Sequence, residues 1–240
     1  MCLRCFCLPV QQLLAATQRL LGRFRRAATG APGPGASWVT MPGYFVNADY
    51  YATAAGKVFH DCCGTGSPSH FDFPRSWSDI PVLQTKFPCS DPVEGYTMSC
   101  AFNRSAGDAD ADAETTDLII SRLHAWASNG TRRPFFAAAG LQGTRLPWAY
   151  PAEVLARFPA GAARLAVAKQ QAAPVGRAGR LEWFRPVGID YMSGINVSHG
   201  RPMPLAQQRQ QRLAFLATVT HIDDQVGRLL DTLVALGVDK

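Results

Sequence analysis

Lys57 and His60 stand three residues apart just beyond the apolar run Tyr50-Tyr51-Ala52-Thr53-Ala54-Ala55-Gly56, and their types suit one kind of chemistry. A lysine ammonium balances the charge of an anionic group, and a histidine beside it can donate to the same oxygens or move a proton. The small and aromatic residues ahead of them read as a strand or its lead-in. Gly56 permits backbone geometry that other residues resist. Both side chains are therefore expected at the end of a strand, where α/β folds mount their sites. Taken alone, the same spacing also fits a surface lysine next to a hydrogen-bonded histidine.

The elements that must position this pair can be read from periodicity. Asp108, Asp110, Asp112 and Glu114 alternate as in a calcium loop, but Ala113 stands where an EF-hand needs glycine and Ile119 where it needs a bidentate glutamate. A helix start accounts for them better: carboxylates collect at the positive end of a helix, and Ile119, Leu123 and Trp126 follow at helical spacing, with an end near Asn129-Gly130. Pro134 to Ala139 reads as a short strand, and Gly140 opens the loop after it. Leu216, Val219, Ile222, Val226, Leu229, Leu233 and Leu236 recur every three or four residues and predict one apolar stripe on a long helix from about Leu205. His221, Asp223 and Asp224 on that helix read as capping or surface residues. Ala160 to Gly179, rich in alanine and glycine, reads as an exposed connection.

At 240 residues, 47% hydrophobic and 18% charged, the chain is long enough for one sizeable core and does not require two domains. Its formal net charge of +6 is unevenly placed: residues 1–48 hold five arginines and no acid, so the remainder carries 19 basic against 18 acidic residues. A near-neutral body argues against a broad basic face for nucleic acid. Residues 1–36 form an Arg-rich segment and linker. Its apolar part, Cys2 to Leu21, is interrupted by Gln11 and Gln12 and is too short and polar for a membrane span. A weak signal peptide and an organelle transit segment both fit it, and Thr29 to Gly35 reads as the linker. Of the seven cysteines, Cys2, Cys5 and Cys7 lack a fourth ligand nearby, so a zinc site is not expected.

Several blocks occur in one order: Thr40-Met41-Pro42-Gly43-Tyr44-Phe45, then Gly56-Lys57-Val58-Phe59-His60, Ser76-Trp77-Ser78, Pro134-Phe135-Phe136, Pro147-Trp148-Ala149-Tyr150-Pro151 and Asp224-Gln225-Val226-Gly227-Arg228-Leu229-Leu230. In that order they resemble the sulfatase family, and most closely its iduronate-2-sulfatase-like branch, over Ser37 to Lys240. The resemblance implies a three-layer α/β sandwich of the sulfatase/alkaline-phosphatase type, here incomplete at both ends, with residues 37–240 as a partial sulfatase-like domain. It also implies hydrolysis of sulfate esters of glycosaminoglycan-type sugars by a formylglycine nucleophile and a calcium ion. By this resemblance Lys57 and His60 would hold the family's sulfate-binding and proton-handling positions.

The departures from the family pattern matter as much. Formylglycine arises from a Cys-x-Pro-Ser-Arg motif. Cys7-Leu8-Pro9-Val10-Gln11 can be read as a decayed version, the third reading of this segment, and Val10 and Gln11 would prevent conversion of Cys7. The family's His-x-Pro-His loop becomes Leu141-Gln142-Gly143-Thr144-Arg145-Leu146-Pro147, so Gln142 and Arg145 replace both histidines. Arginine can hold a sulfate by paired hydrogen bonds but is a poor proton donor to a leaving alkoxide. No set of calcium ligands can be assembled from these residues, so no metal ligand is assigned. Related sulfatases have a disulfide where Cys89 and Cys100 enclose a loop, which implies a bridge here, with buried free thiols as the alternative. Sequons at Asn103, Asn129 and Asn196, together with that pair, lean towards a secretory route to lysosome or cell exterior. Binding of a sulfated saccharide is expected; turnover by this chain alone is not. The chain is thus expected to be an incomplete or inactive sulfatase-family protein. A non-catalytic binder of sulfated glycans through Lys57, His60 and Arg145 is the alternative, beside an active hydrolase whose sequence extends further and a fragment with exposed sheet edges that does not fold stably.

Overall fold

A computed structural model describes residues 37–58, 72–82, 90–91, 95–96, 99–130, 133–159 and 203–239. The chain divides into two compact units, one of Met1–Thr85, Ala111–Gln142 and Gln225–Lys240, the other of Lys86–Asp110 and Gly143–Asp224. Cys7, His60, Cys89, Asn196 and the stretch 160–179 lie outside the described residues.

In the first unit, α1 (Met41–Asn47) leads into strand β1 (Tyr51–Gly56). Thr40 starts α1 as its N-cap, its hydroxyl accepting from Gly43 N–H at 3.1 Å, with Pro42 in the first turn. β1 pairs in parallel with β5 (Phe135–Gly140), in a register running from Tyr51↔Phe135 to Gly56↔Gly140. On the other edge of β1, Val82 forms a parallel bridge to Ala55, and its carbonyl accepts from Gly56 N–H at 2.8 Å. Alternate residues of a strand face opposite ways. Accordingly Ala52, Ala54, Phe136 and Ala138 pack with Trp77, Val46 and Phe73, whereas Ala55, Phe135, Ala137 and Ala139 pack with Ile119 and Leu123 of α2 (Ala111–Ser128) and with Leu229, Leu233 and Leu236. Both faces of β1 are thus covered. That explains why, after Tyr51, it is a run of small residues with no solvent-facing polar position.

In the second unit, β4 (Ser99–Phe102) runs parallel to β6 (Trp148–Pro151), and β2 (Ser90–Asp91) pairs antiparallel with β3 (Gly95–Tyr96). Asn103 caps a 3-10 turn, Arg104–Ala106, and the short α3 (Ala152–Leu155) follows β6 directly. A core of Tyr150, Val154, Ala214 and Ala217 gathers Trp148, Leu155 and Phe158 around it. The last two alanines come from α4 (Leu205–Ala235), a helix of 31 residues.

α4 starts where the sequence places it but buries a different face. Val219 and Val226 of the expected stripe are 40% and 39% exposed, while Ala214, Ala217, Thr218, His221, Gln225 and Thr232 are buried. These also recur at helical spacing, one step round from the leucines and valines. Small side chains let a helix approach closely, and the polar ones find partners inside: Thr218 Oγ1 donates to Phe215 O at 2.7 Å and Thr232 Oγ1 to Arg228 O at 2.8 Å. Only the C-terminal leucines of the stripe reach a core, that of the first unit. His221, read as a capping or surface residue, is corrected by this packing: it is 1% exposed. Asp223 is exposed as expected, and Asp224 forms an ion pair with Arg157 at 2.8 Å.

Candidate functional site

Lys57 follows the last residue of β1, and two glycines shape the backbone there. Gly56 has φ +73°, and a Cβ on it would lie 2.4 Å from Gly140 O and 2.6 Å from Thr115 Cγ2. A Cβ on Gly140 would lie 2.3 Å from the Lys57 carbonyl carbon. No side chain fits at either position without backbone movement. The close approach lets Lys57 N–H donate to Gly140 O at 2.6 Å and Val58 N–H to Gly56 O at 2.9 Å, so the carboxyl ends of β1 and β5 are tied together. Lys57 itself is half-buried.

β5 then delivers Gln142 to the same edge. Its backbone N–H donates to Asp112 Oδ1 at 2.7 Å. Its side-chain Nε2 is buried and finds no hydrogen-bond partner among the described residues. Asp112 belongs to the first turn of α2, where the helix dipole favours a carboxylate. Arg145 lies in the second unit and is exposed. Lys57 and Gln142 therefore share one sheet edge in the first unit, while Arg145 belongs to the other unit and His60 and Cys7 are outside the described residues.

Two of the motif blocks turn out to be scaffolding for that edge. Thr40 Oγ1 bonds to Ser76 Oγ, which donates to Asp72. Trp77 is buried against β1. Ser78 runs alongside β1, its N–H donating to Ala52 O at 2.7 Å and its hydroxyl accepting from Ala52 N–H at 3.0 Å. Arg122, from the middle of α2, completes the fastening: Nη1 donates to Thr53 Oγ1 at 2.8 Å and Ala54 O at 2.9 Å, and Nη2 to Ile80 O at 2.9 Å. Its Nε lies 3.9 Å from Asp79, whose carboxylate accepts from the Tyr51 hydroxyl. Burial first, then the adjacent Asp79, push the Tyr51 phenol up to about 12.

Sequence reading missed the bonding roles of Arg122 and Asp112, and it also missed a ring of hydrogen bonds in the second unit built on two buried groups, Asp110 and His221. Arg104 Nε donates to Asp110 Oδ2 at 2.7 Å, His221 Nε2 lies 3.0 Å from Asp110 Oδ1, and Arg104 Nη2 lies 3.1 Å from His221 Nδ1. A guanidinium can only donate, so His221 Nδ1 accepts and Nε2–H donates to the carboxylate. A histidine one turn after Ala217 and Thr218, on a helix face of small residues, was the available signal for burial. The acidic run Asp108–Glu114 begins a helix as expected, but Asp110 and Asp112 within it are buried and hydrogen-bonded.

A cleft of about 310 Å³ opens elsewhere in the first unit, lined by Trp38, Thr40, Gly43, Val46, Arg75 and Ser76 among others. Neither Lys57 nor Gln142 lines it. Among the described residues no three or more His, Cys, Asp or Glu side chains come together as metal ligands. Calcium takes about six to eight oxygen ligands gathered at one place, and no group of described residues supplies such a set. Cys100 is disulfide-bonded, and Cys89, the partner implied by resemblance, lies outside the described residues. Asn103 and Asn129 are exposed. Among the described residues no helix is long and apolar enough to cross a membrane.

No family model matches the chain. It is 28% identical to the iduronate 2-sulfatase of Homo sapiens over 211 residues, which is 81% of this chain and 36% of that protein. Against the iduronate 2-sulfatase of Mus musculus it is 27% identical over the same extent. The chain thus spans little more than a third of the length of the curated relatives it matches. Over most of its own length, and over that portion of theirs, it is similar to the sulfatase family in its iduronate-2-sulfatase-like branch.

Proposed function

We propose that this chain carries the sulfate-binding edge of a sulfatase-type three-layer α/β domain, formed by residues 37–240, and that it holds a sulfated saccharide without turning it over. The observation that carries the reading is the carboxyl edge of β1 and β5. There Lys57 follows a glycine-shaped strand end, and the neighbouring Gln142 presents a buried amide donor that finds no partner among the described residues. A sulfuryl group is a fixed anion with several acceptor oxygens. A lysine and an unpaired amide donor at a strand end are complementary to it. Covered faces on both sides of β1 and the similarity to iduronate 2-sulfatases support the fold assignment.

Turnover needs an acid to protonate the leaving alkoxide, and neither side chain that replaces the loop histidines can serve. Gln142 has no proton to give at ordinary pH, and Arg145 holds its proton too firmly. Cys7 lacks the serine and arginine that would mark it for conversion to a nucleophile. His60, carried over by resemblance alone, lies outside the described residues. A secretory route, glycans at Asn103, Asn129 and Asn196 and a Cys89–Cys100 bridge accompany it.

Calorimetric binding of a heparin-derived sulfated disaccharide tests the proposal, paired with an assay for released inorganic sulfate. Binding is expected to weaken as salt rises and to fall at least about tenfold in Lys57→Ala, the usual cost of one charge-assisted hydrogen bond, with no sulfate released. Sulfate release by the native chain would overturn the non-catalytic part. Unchanged affinity in Lys57→Ala would overturn the site.

A further inference from the structure

We propose that Asp112 is a positioning residue for this site: its carboxylate holds the loop after β5 so that the Gln142 amide faces the bound anion. The inference rests on the anion-binding reading of the β1–β5 edge. Asp112 is 5% exposed, and its Oδ1 accepts from Gln142 N–H at 2.7 Å, a charge-assisted bond to the first loop N–H that follows Leu141. Burial of a carboxylate is costly unless it is paired or placed in a favourable field. The N-terminal turn of α2 supplies that field, and Thr116 Oγ1, bonded to Asp112 O at 2.9 Å, stiffens the same turn.

The consequence for Gln142 is geometric. Its main chain is fixed at one end by Gly140 O, bound to Lys57 N–H, and at its own nitrogen by Asp112. With the backbone held at both points, the direction in which the side chain leaves the main chain is set. Nε2 is buried without a hydrogen-bond partner among the described residues, so an acceptor that reaches it supplies a bond that none of them gives. An unpaired buried donor weakens folding and strengthens binding of whatever satisfies it. Asp112 thus acts on the ligand through Gln142 and does not touch it.

The experiment measures two quantities in the full chain: affinity for a heparin-derived sulfated disaccharide, and the hydrogen-exchange rate of the Gln142 amide. Asp112→Ala is expected to weaken binding about tenfold and to speed exchange by a similar factor, as loss of one charge-assisted hydrogen bond would. Asp112→Asn keeps an oxygen acceptor in place and is expected to restore both to within about threefold of wild type. If the alanine variant loses its cooperative melting transition, Asp112→Glu serves instead. It keeps the charge at the helix start but moves the oxygen by one methylene, and intermediate values are expected. Native affinity and exchange in the alanine or glutamate variant would overturn the proposal, and so would an asparagine variant as impaired as alanine. A wild-type chain that fails to bind, or a Lys57→Ala chain that binds normally, would sink the anion-site reading. The exchange rate would still decide whether Asp112 holds the loop.

Discussion

The side chains that fix the sheet edge act through pairs of hydrogen bonds, and Tyr51 offers a way to weigh one of them. Its hydroxyl donates to Asp79, and its phenol is pushed up to about 12, chiefly by burial and then by that carboxylate. The folded value lies above the ordinary 10.0 of the unfolded chain. Stability from this group is therefore fully present below pH 10 and lost as pH rises through the folded value. Denaturant unfolding of the native chain and of Tyr51→Phe should differ by a constant amount from pH 7 to pH 9. The two curves are expected to converge between about pH 10 and pH 12 as the wild-type advantage titrates away. A difference that persists unchanged above pH 12 would mean that the hydroxyl stabilises the fold independently of its ionisation. The same carboxylate lies 3.9 Å from Arg122, so the tyrosine reports on a network that also ties Thr53, Ala54 and Ile80 to α2.

At the scale of elements, α2 was legible and α4 only partly so, for a physical reason. The hydrophobic side of α2 carries Ile119 and Leu123, which are large, apolar and buried, so periodicity and packing coincide. α4 buries Ala214, Ala217, Thr218 and His221 in the second unit, residues that a hydropathy pattern ranks below the neighbouring valines. A face that packs by close approach carries small side chains, and its polar members are satisfied by bonds that sequence does not show. The two faces should respond oppositely to substitution. Ala217→Leu forces added volume into a fully buried position and is expected to cost about 1–3 kcal/mol. Val219→Lys, on the face predicted to be buried, is expected to change stability by no more than about 0.5 kcal/mol. Chemical denaturation of the two variants settles which face carries the packing. The strand end was legible for a simpler reason: Gly56 and Gly140 are each required by a contact with the other strand, and a run of small residues before a glycine advertises such an approach.

At the scale of the whole molecule, charge and site can be separated. Five arginines precede residue 48, whereas the rest of the chain carries 19 basic and 18 acidic residues. Two kinds of binding to sulfated sugars are then open to this chain, a diffuse attraction to the Arg-rich segment and a local one to Lys57 and Gln142. They differ in length dependence. A long polysulfated polymer can engage several arginines at once, whereas a disaccharide spans only a single anion site. Replacing Arg19, Arg23, Arg25 and Arg26 by glutamine lowers the formal net charge of +6 by four. This variant is expected to lose affinity for the polymer at low salt. Its salt dependence should flatten by about one released counterion for each arginine that had been engaged. Disaccharide affinity is expected to stay within about twofold of wild type, because a short ligand carries too few charges to displace several counterions at once. If disaccharide binding instead falls in step with polymer binding, the arginines and not the β1–β5 edge hold the sulfate. The carboxyl end of the sheet would then be a structural feature without a ligand.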